Sequence, residues 1–140
     1  MAPSPRPRKR LISVAEGQSH SSPIPQGVRA NGFVFLSALR GVTPGTERVE
    51  ADDPEAQARQ LFDNLDATLA GIGATLDDVI KVGVYMRDLQ RDRPVFNAVW
   101  AERFGDSPPA RHAVEVSDMG NPGGRTLFMI DVVALDPELE

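Results

Sequence analysis

The sequence predicts a single α+β domain in which two helices cover one face of a mixed β-sheet. Three observations support this class: a hairpin centred on Asn31-Gly32, two segments with apolar residues at helical spacing, and a β-branched run from Val79 to Met86. The elements follow in the order strand, strand, helix, strand, helix, strand, strand. A chain of 140 residues can build one hydrophobic core and is too short for two ordinary domains.

The first strands flank a tight turn. Gly27 to Ala30 and Phe33 to Leu36 are separated by Asn31-Gly32, a dipeptide that adopts positive φ at low cost and is typical of two-residue hairpins. Before the hairpin, Leu11 to Val14 could form a short edge strand, and residues 15–25 are rich in Ser, Gly and Pro, which indicates a loop. Residues 40–50 are predicted to form a second loop.

The first helix is predicted to start after Asp52 or Asp53 as its N-cap, with Pro54 in the first turn, where its missing N–H is harmless. It ends at Gly71 and Gly73. One buried stripe follows from the helical spacing of its apolar residues, which are Ala58, Leu61, Leu65, Ala67, Leu69 and Ile72.

The second half of the chain contains a capped turn from Thr75 to Asp78, the strand from Val79 to Met86, and a second helix. That helix is predicted to open at Arg93-Pro94 and to end before Gly105. Its apolar face consists of Phe96, Val99, Trp100 and Phe104. Two further strands, residues 110–116 and 126–135, are joined by a loop that includes residues 118–124. Its glycines could bring backbone N–H groups to a ligand, although a plain flexible connector is the preferred interpretation.

Composition and charge exclude several classes of function. The chain has no cysteine, which excludes disulfides, thiolate catalysis and thiolate metal sites. The first ten residues carry four of the 15 basic groups and none of the 20 acidic ones, so residues 11–140 have a net charge of -9. An acidic surface disfavours nucleic-acid binding. No apolar run is long enough for a membrane span or a signal peptide, so we expect a cytoplasmic protein without membrane contact.

The domain organisation is predicted to be a disordered basic tail over residues 1–10 and one folded domain over residues 11–140. If both helices cover one face of the sheet, the other face would expose an apolar surface. Burial against identical subunits is the economical solution, so the sequence predicts a homo-oligomer.

Five blocks of the sequence resemble the Rid (YjgF) family. Residues 107–116 (SPPARHAVEV) resemble the P-A-R-x-x-x-E-V signature of that family, and residues 96–105 resemble the helix before it. Residues 26–37 resemble the family hairpin, residues 60–65 its first helix, and residues 76–81 the L-D-D-V-V-K start of its middle strand. The blocks occur in register from about Pro23 to Leu135.

The resemblance implies a chorismate-mutase-like (YjgF) fold, a homotrimer with a central barrel, and ligand clefts between subunits. Many members hydrolyse enamines and imines to 2-keto acids and ammonia, with no metal and no organic cofactor. Arg111 matches the arginine that binds the substrate carboxylate. Without the resemblance, a surface arginine paired with a neighbouring acid would be the preferred interpretation.

Several cleft positions keep or change the family pattern. Ser37 matches the cleft serine, although a hydroxyl bonded to its own backbone is an equal alternative. Ala113 replaces a cysteine, Ile24 replaces a tyrosine, and Met129 replaces the glutamate that positions the hydrolytic water. Because a thioether cannot orient water, standard deaminase activity is in doubt.

Asp131 lies two residues after Met129 and on the same face of the strand, so it could replace the glutamate. A salt bridge at a subunit interface is its other, preferred interpretation. His20 is a candidate proton carrier at the cleft mouth, and neither histidine has a second ligand at metal spacing.

Two functions therefore remain open. The first is an enzyme acting on a small imine, enamine or related carbonyl compound, by deamination or by another addition, hydrolysis or cyclisation. The second is a non-catalytic trimer that binds a small keto or imino acid, or a larger apolar carbonyl ligand. A ribonuclease activity, ascribed to some family members, is disfavoured by the acidic surface and the scarcity of aromatic residues.

Overall fold

A computed structural model describes residues 8–21, 23–120 and 125–138. Residues 1–7 of the predicted tail and residues 121–124 of the predicted glycine-rich loop lie outside the described residues. The elements confirm the α+β class. They are β1 (Arg10–Ile12), β2 (Gly27–Ala30), β3 (Phe33–Arg40), α1 (Pro54–Gly71), a short 3-10 turn (Leu76–Asp78), β4 (Val79–Met86), α2 (Leu89–Phe104), β5 (Ala110–Glu115) and β6 (Phe128–Leu135).

The strands form one six-stranded mixed sheet in the order β1-β2-β3-β6-β4-β5. All neighbouring strands are antiparallel except β4 and β5, which are parallel because α2 connects them as a crossover. The last strand, β6, is therefore inserted between β3 and β4. In this order β5 is an edge strand, which matters for the site described below.

The hydrophobic core lies between the sheet and the two helices. Leu61, Leu65 and Leu69 of α1 are fully buried in one cluster with Val34 and Ile130 of the sheet. An aromatic group joins the two helices: the Phe62 ring of α1 lies 5.8 Å from Phe96 and 5.7 Å from Phe104 of α2, between ring centres. These contacts confirm that both helices pack on the sheet, which positions the residues of β5 beneath α2.

Local signals in the sequence correctly place several boundaries. Asn31 and Gly32 have φ values of 52° and 86°, as a two-residue turn with positive φ at both positions requires. Asp53 caps α1, because its Oδ2 accepts a hydrogen bond of 3.1 Å from the backbone N–H of Ala56. Thr75 and Asp78 form a reciprocal capping box at the 3-10 turn.

Other boundaries differ from the prediction. Helix α2 begins at Leu89 rather than at Arg93-Pro94, because Asp88 caps it by accepting a hydrogen bond from the N–H of Arg91 at 3.1 Å. Pro94 therefore lies in the second turn, where its ring removes one helical hydrogen bond. Strand β1 ends at Ile12 instead of Val14, and β6 begins at Phe128 instead of residue 126.

Strand β3 also runs further than predicted, to Arg40 rather than Leu36. The pairing of β3 with β6 shifts register between Leu36 and Leu39, which indicates a bulge. Beyond the bulge the strand continues, so Arg40 lies in the sheet and not in the predicted loop. This extension brings a charged side chain to the candidate site.

The face of the sheet opposite the helices exposes large apolar side chains. Phe35 is 46% exposed and Leu135 is 45% exposed, whereas their neighbours Val34 and Ala134 are fully buried on the helix side. Leu11, Phe33 and Val114 are also exposed. This surface, called the uncovered face below, agrees with the alternation of side chains along strands. Among the described residues, no helix is both long and apolar enough to cross a membrane.

Candidate functional site

The guanidinium of Arg111 lies on the edge strand β5 and packs against α2. Its carbon atom Cζ is 4.8 Å from the ring centre of Trp100 and 5.4 Å from that of Phe96, distances at which a cation interacts favourably with aromatic rings. Burial lowers the pKa of Arg111 below its usual value, and the nearby cation of Arg93 lowers it further. In the described ranges, no carboxylate lies within ion-pairing distance of Arg111.

Ala113 lies on the same side of β5 as Arg111. It pairs with the fully buried Val84 of β4 and packs against the hydrophobic core. His112 and Val114 are exposed and alternate to the uncovered face. Position 113 is therefore adjacent to Arg111 but faces the core, where a methyl group is well accommodated.

Met129 and Asp131 of β6 lie on the uncovered face, since Phe128, Ile130 and Val132 between and around them are buried on the helix side. The backbone N–H of Gly83 donates to Asp131 Oδ1 at 3.0 Å, and the Tyr85 hydroxyl donates to Oδ2 at 3.1 Å. A Cβ atom at position 83 would collide with this carboxylate. Burial of the Tyr85 hydroxyl raises its pKa, and the negative charge of Asp131 raises this pKa further.

Ser37 and Ile24 line a cavity of about 220 Å³ at the end of β3, together with His20, Arg40 and other residues. The Ser37 hydroxyl donates a hydrogen bond of 2.6 Å to the carbonyl of Pro25. The proton of this serine is therefore bonded to the loop before β2 and not to the local backbone of Ser37, while the oxygen can still accept a bond. Ile24 is 52% exposed and contributes an apolar surface.

Arg40 was not among the predicted site residues, and it lines the same cavity. It lies directly opposite Met129 in the pairing of β3 with β6, so the two side chains share the uncovered face. Arg40 Nε is buried and has no hydrogen-bond partner among the described residues. Burial lowers the pKa of Arg40, while the charge of Glu47 acts in the opposite direction.

The backbone at Arg40 is held by two buried amide side chains. Its N–H donates to Gln18 Oε1 at 3.1 Å, and its carbonyl accepts from Asn64 Nδ2 at 2.9 Å. Asn64 Nδ2 also lies 3.0 Å from the carbonyl of Val42. These bonds link the end of β3 to α1 and fix the backbone from which the Arg40 side chain extends.

His20 also reaches the cavity. Its Nε2 lies 2.7 Å from the carbonyl of Ala38, and because a carbonyl only accepts, Nε2 carries a proton. Its Nδ1 is buried without a hydrogen-bond partner in the described part of the chain. Gly120, at the start of the glycine-rich loop, lines the same cavity.

The structure thus divides the predicted site residues between two places. Ser37, Ile24 and Met129 lie near Arg40, whereas Arg111 and Ala113 lie on the helix side of β5. Three strand spacings separate β3 from β5 in the sheet, which corresponds to roughly 14 Å. One chain alone does not bring Arg111 together with Met129 and Asp131.

Comparisons with known proteins identify the family of the chain. The sequence model of the family described as Endoribonuclease L-PSP matches residues 19–135. A RutC family protein of Pyrococcus horikoshii is 38% identical over 109 residues, which cover 78% of this chain and 86% of the relative. A protein of Dermatophagoides farinae named 2-iminobutanoate/2-iminopropanoate deaminase is 32% identical over 111 residues, covering 79% of this chain and 86% of that protein.

Solved structures show the same fold. The crystal structure of yeast Mmf1 has a TM-score of 0.83 and 27% sequence identity, and the match covers 92% of this chain and 99% of Mmf1. The YjgF protein of E. coli has a TM-score of 0.78 and 30% identity, covering 90% of this chain and 98% of that protein. The chain belongs to the Rid (YjgF) family, which the family model describes as Endoribonuclease L-PSP.

Proposed function

We propose that this protein is a Rid-type enzyme that acts on a small imine, enamine or related carbonyl compound, in a cleft between the subunits of a homotrimer. In this proposal Arg111 binds the carboxylate of the substrate. One observation carries the proposal: the guanidinium of Arg111 is partly desolvated and has no carboxylate partner among the described residues. The alternative of a surface ion pair requires a partner that these residues do not supply.

The surroundings of Arg111 favour an anionic ligand. A planar guanidinium forms two parallel charge-assisted hydrogen bonds with a carboxylate, and such bonds are stronger where water is partly excluded. Contact with Trp100 and Phe96 restricts the side chain, so little conformational freedom is lost on binding. The cation of Arg93 adds to the attraction for an anion.

The oligomeric part of the proposal is supported by two features. The uncovered face exposes Phe35, Leu135 and other apolar side chains, which association with further copies would remove from water. Arg111 lies on an edge strand and on the opposite side of the sheet from Met129. A cleft formed by two copies could join Arg111 of one copy to the Ser37 cavity of another.

The chemistry of an imine substrate requires water. Water adds to the C=N carbon, the nitrogen leaves as ammonia, and a 2-keto acid remains. Met129 has no group that can orient or deprotonate water. Asp131 lies on the same face two residues further along, and each of its carboxylate oxygens keeps a free lone pair beside the bonds from Gly83 and Tyr85. We therefore assign the orientation of the water to Asp131.

A second candidate function is a trimer that binds a small acid without turnover. Ile24 is half exposed at the cavity and Met129 faces the same side of the sheet, which favours a larger or more apolar carbonyl ligand than 2-aminoacrylate. The family model that matches the chain is described as Endoribonuclease L-PSP. The net charge of -5 opposes binding of a phosphate backbone, so we do not propose that activity here.

The substitution Arg111→Met tests the proposal, because methionine keeps much of the contact with Trp100 and removes the charge. Loss of a carboxylate bond worth about 2 to 4 kcal/mol should weaken binding of 2-ketobutyrate by tens to hundreds of fold in titration calorimetry. Turnover is followed separately, by coupling the protein to a serine or threonine dehydratase and measuring release of the keto acid. If the keto acid is released no faster with the protein than in buffer alone, the non-catalytic binding function is favoured.

Arg103 supplies the matched control. Its guanidinium also lies over an aromatic ring, 5.8 Å from the centre of Phe62, but it forms ion pairs with Asp63 and Asp66. Arg103→Met should leave the affinity for 2-ketobutyrate unchanged and lower the melting temperature. If Arg111→Met instead behaved like Arg103→Met, with unchanged affinity and reduced stability, Arg111 would be a structural residue and the proposal would be wrong.

A further inference from the structure

A second arginine of the chain, Arg40, has the properties of an anion-binding residue. It lines the cavity of about 220 Å³ with Ser37 and His20, and its Nε is buried without a hydrogen-bond partner among the described residues. A guanidinium nitrogen removed from water without a partner is unfavourable in the free protein. An anion in the cavity would compensate the charge of the guanidinium that lines it.

The neighbours of Arg40 explain why it is not already neutralised. Met129, directly opposite on β6, is apolar. One acid, Glu47, lines the cavity, and its carboxylate accepts a hydrogen bond from the Ser21 hydroxyl. Within the described residues, Glu47 does not come within ion-pairing distance of Arg40. The Arg40 cation is therefore available to a ligand.

We propose that Arg40 binds a second anionic group of the ligand, so that the site takes a 2-oxo or 2-imino dicarboxylate rather than a monocarboxylate. The inference rests on the proposed function, in which Arg111 binds the first carboxylate. The hydrogen bonds with Gln18 and Asn64 hold the backbone of Arg40 in place before the ligand arrives, which reduces the backbone entropy lost on binding.

The cavity favours a carboxylate over a phosphate as this second group. Arg40 presents one guanidinium fork, which matches the two oxygens of a carboxylate. The Ser37 proton is bonded to the Pro25 carbonyl, so it is not free for the additional oxygens of a phosphate. Glu47 lines the same cavity and would repel a doubly charged phosphate more strongly than a singly charged carboxylate.

Two keto acids of equal chain length test the proposal in the full-length protein: 2-oxopentanoate, with one carboxylate, and 2-oxoglutarate, with two. Calorimetry should show that the unmodified protein binds 2-oxoglutarate at least about 10-fold more tightly. Arg40→Leu should reduce the ratio of the two affinities to about 1, whereas Arg40→Lys, which keeps the charge and loses the fork, should give an intermediate ratio. Leucine retains the backbone bonds to Gln18 and Asn64, so this variant should fold.

Two further variants sharpen the result. Glu47→Gln removes from the cavity a negative charge that repels the second carboxylate of the ligand. It should therefore raise the affinity for 2-oxoglutarate, whereas Arg40→Leu should lower it. Arg48→Leu is the control, because Arg48 is exposed and does not line the cavity; it should leave the affinity ratio unchanged. A melting temperature of Arg40→Leu equal to or above that of the unmodified protein would confirm that the change acts on binding and not on folding.

The two proposals fail in different ways. Equal affinities for both acids in the unmodified protein, or a ratio that survives Arg40→Leu, would overturn the role of Arg40 and leave that of Arg111 intact. Unchanged binding of 2-oxopentanoate by Arg111→Met would instead overturn the proposed function. If Arg40→Leu does not fold, the ratio measured with Arg40→Lys decides, and an unchanged ratio there overturns the inference.

Discussion

The substitution Phe35→Lys tests whether the uncovered face is a subunit interface. Phe35 is 46% exposed in the single chain, which for a phenylalanine of about 200 Å² corresponds to roughly 90 Å² of apolar surface. Burial of that area would contribute about 2 kcal/mol per copy, or about 6 kcal/mol in a trimer. Lysine removes this contribution and adds a charge that must be desolvated.

A loss of about 6 kcal/mol lowers the trimerisation constant by about four orders of magnitude. Because three chains associate, the midpoint concentration between monomer and trimer should rise by about two orders of magnitude. Sedimentation velocity from sub-micromolar to high micromolar concentrations measures this shift. Ala70→Lys is the control, since Ala70 is exposed on α1 in the layer opposite the uncovered face. The reasoning would be refuted if the unmodified protein is monomeric. It would also be refuted if Phe35→Lys forms a trimer with the same midpoint concentration as the unmodified protein.

Two further predictions concern β6. Met129→Glu should raise the rate of 2-aminoacrylate hydrolysis in the dehydratase-coupled assay. Because Arg40 lies opposite and would pair with the new carboxylate, adding Arg40→Leu should raise the rate further. A double variant that is no faster than Met129→Glu alone would contradict this prediction. Asp131→Ala leaves the Gly83 N–H without its acceptor and should lower the free energy of unfolding by about 1 to 2 kcal/mol. Asp131→Asn retains an acceptor, so it should lower the free energy of unfolding by less than half as much. Urea denaturation measures both changes.

The parts of the fold that were predicted correctly depend on local signals. The Asn31-Gly32 turn, the Asp53 cap before Pro54 and the capping box at Thr75 each act within a few residues. The start of α2 was predicted wrongly because Pro94 is a strong marker of a first turn. Asp88 caps the helix earlier, and the remaining hydrogen bonds of the helix tolerate the proline.

The candidate site depends on contacts between distant parts of the chain, which explains why Arg40 was missed. The sequence predicts a loop at its position, since the bulge that carries β3 onward to residue 40 has no clear local signal. The pairing of Arg40 with Met129 exists only once β6 has been inserted beside β3. Arg111, in contrast, was identified through a family signature, and its lack of a carboxylate partner could be seen only in the structure.

Met129 and Arg40 lie opposite each other in the pairing of β3 with β6, and their effects on the charge of the site are linked. A glutamate at position 129, which the family resemblance leads us to expect, would face Arg40 across the strand pair and neutralise it. With methionine there, no carboxylate of the described residues pairs with the guanidinium, and its Nε is buried without a hydrogen-bond partner. In the proposed site, an apolar residue at position 129 beside an arginine without a carboxylate partner leaves a local positive charge. Such a site should select its ligand by a second negative group before any question of turnover arises.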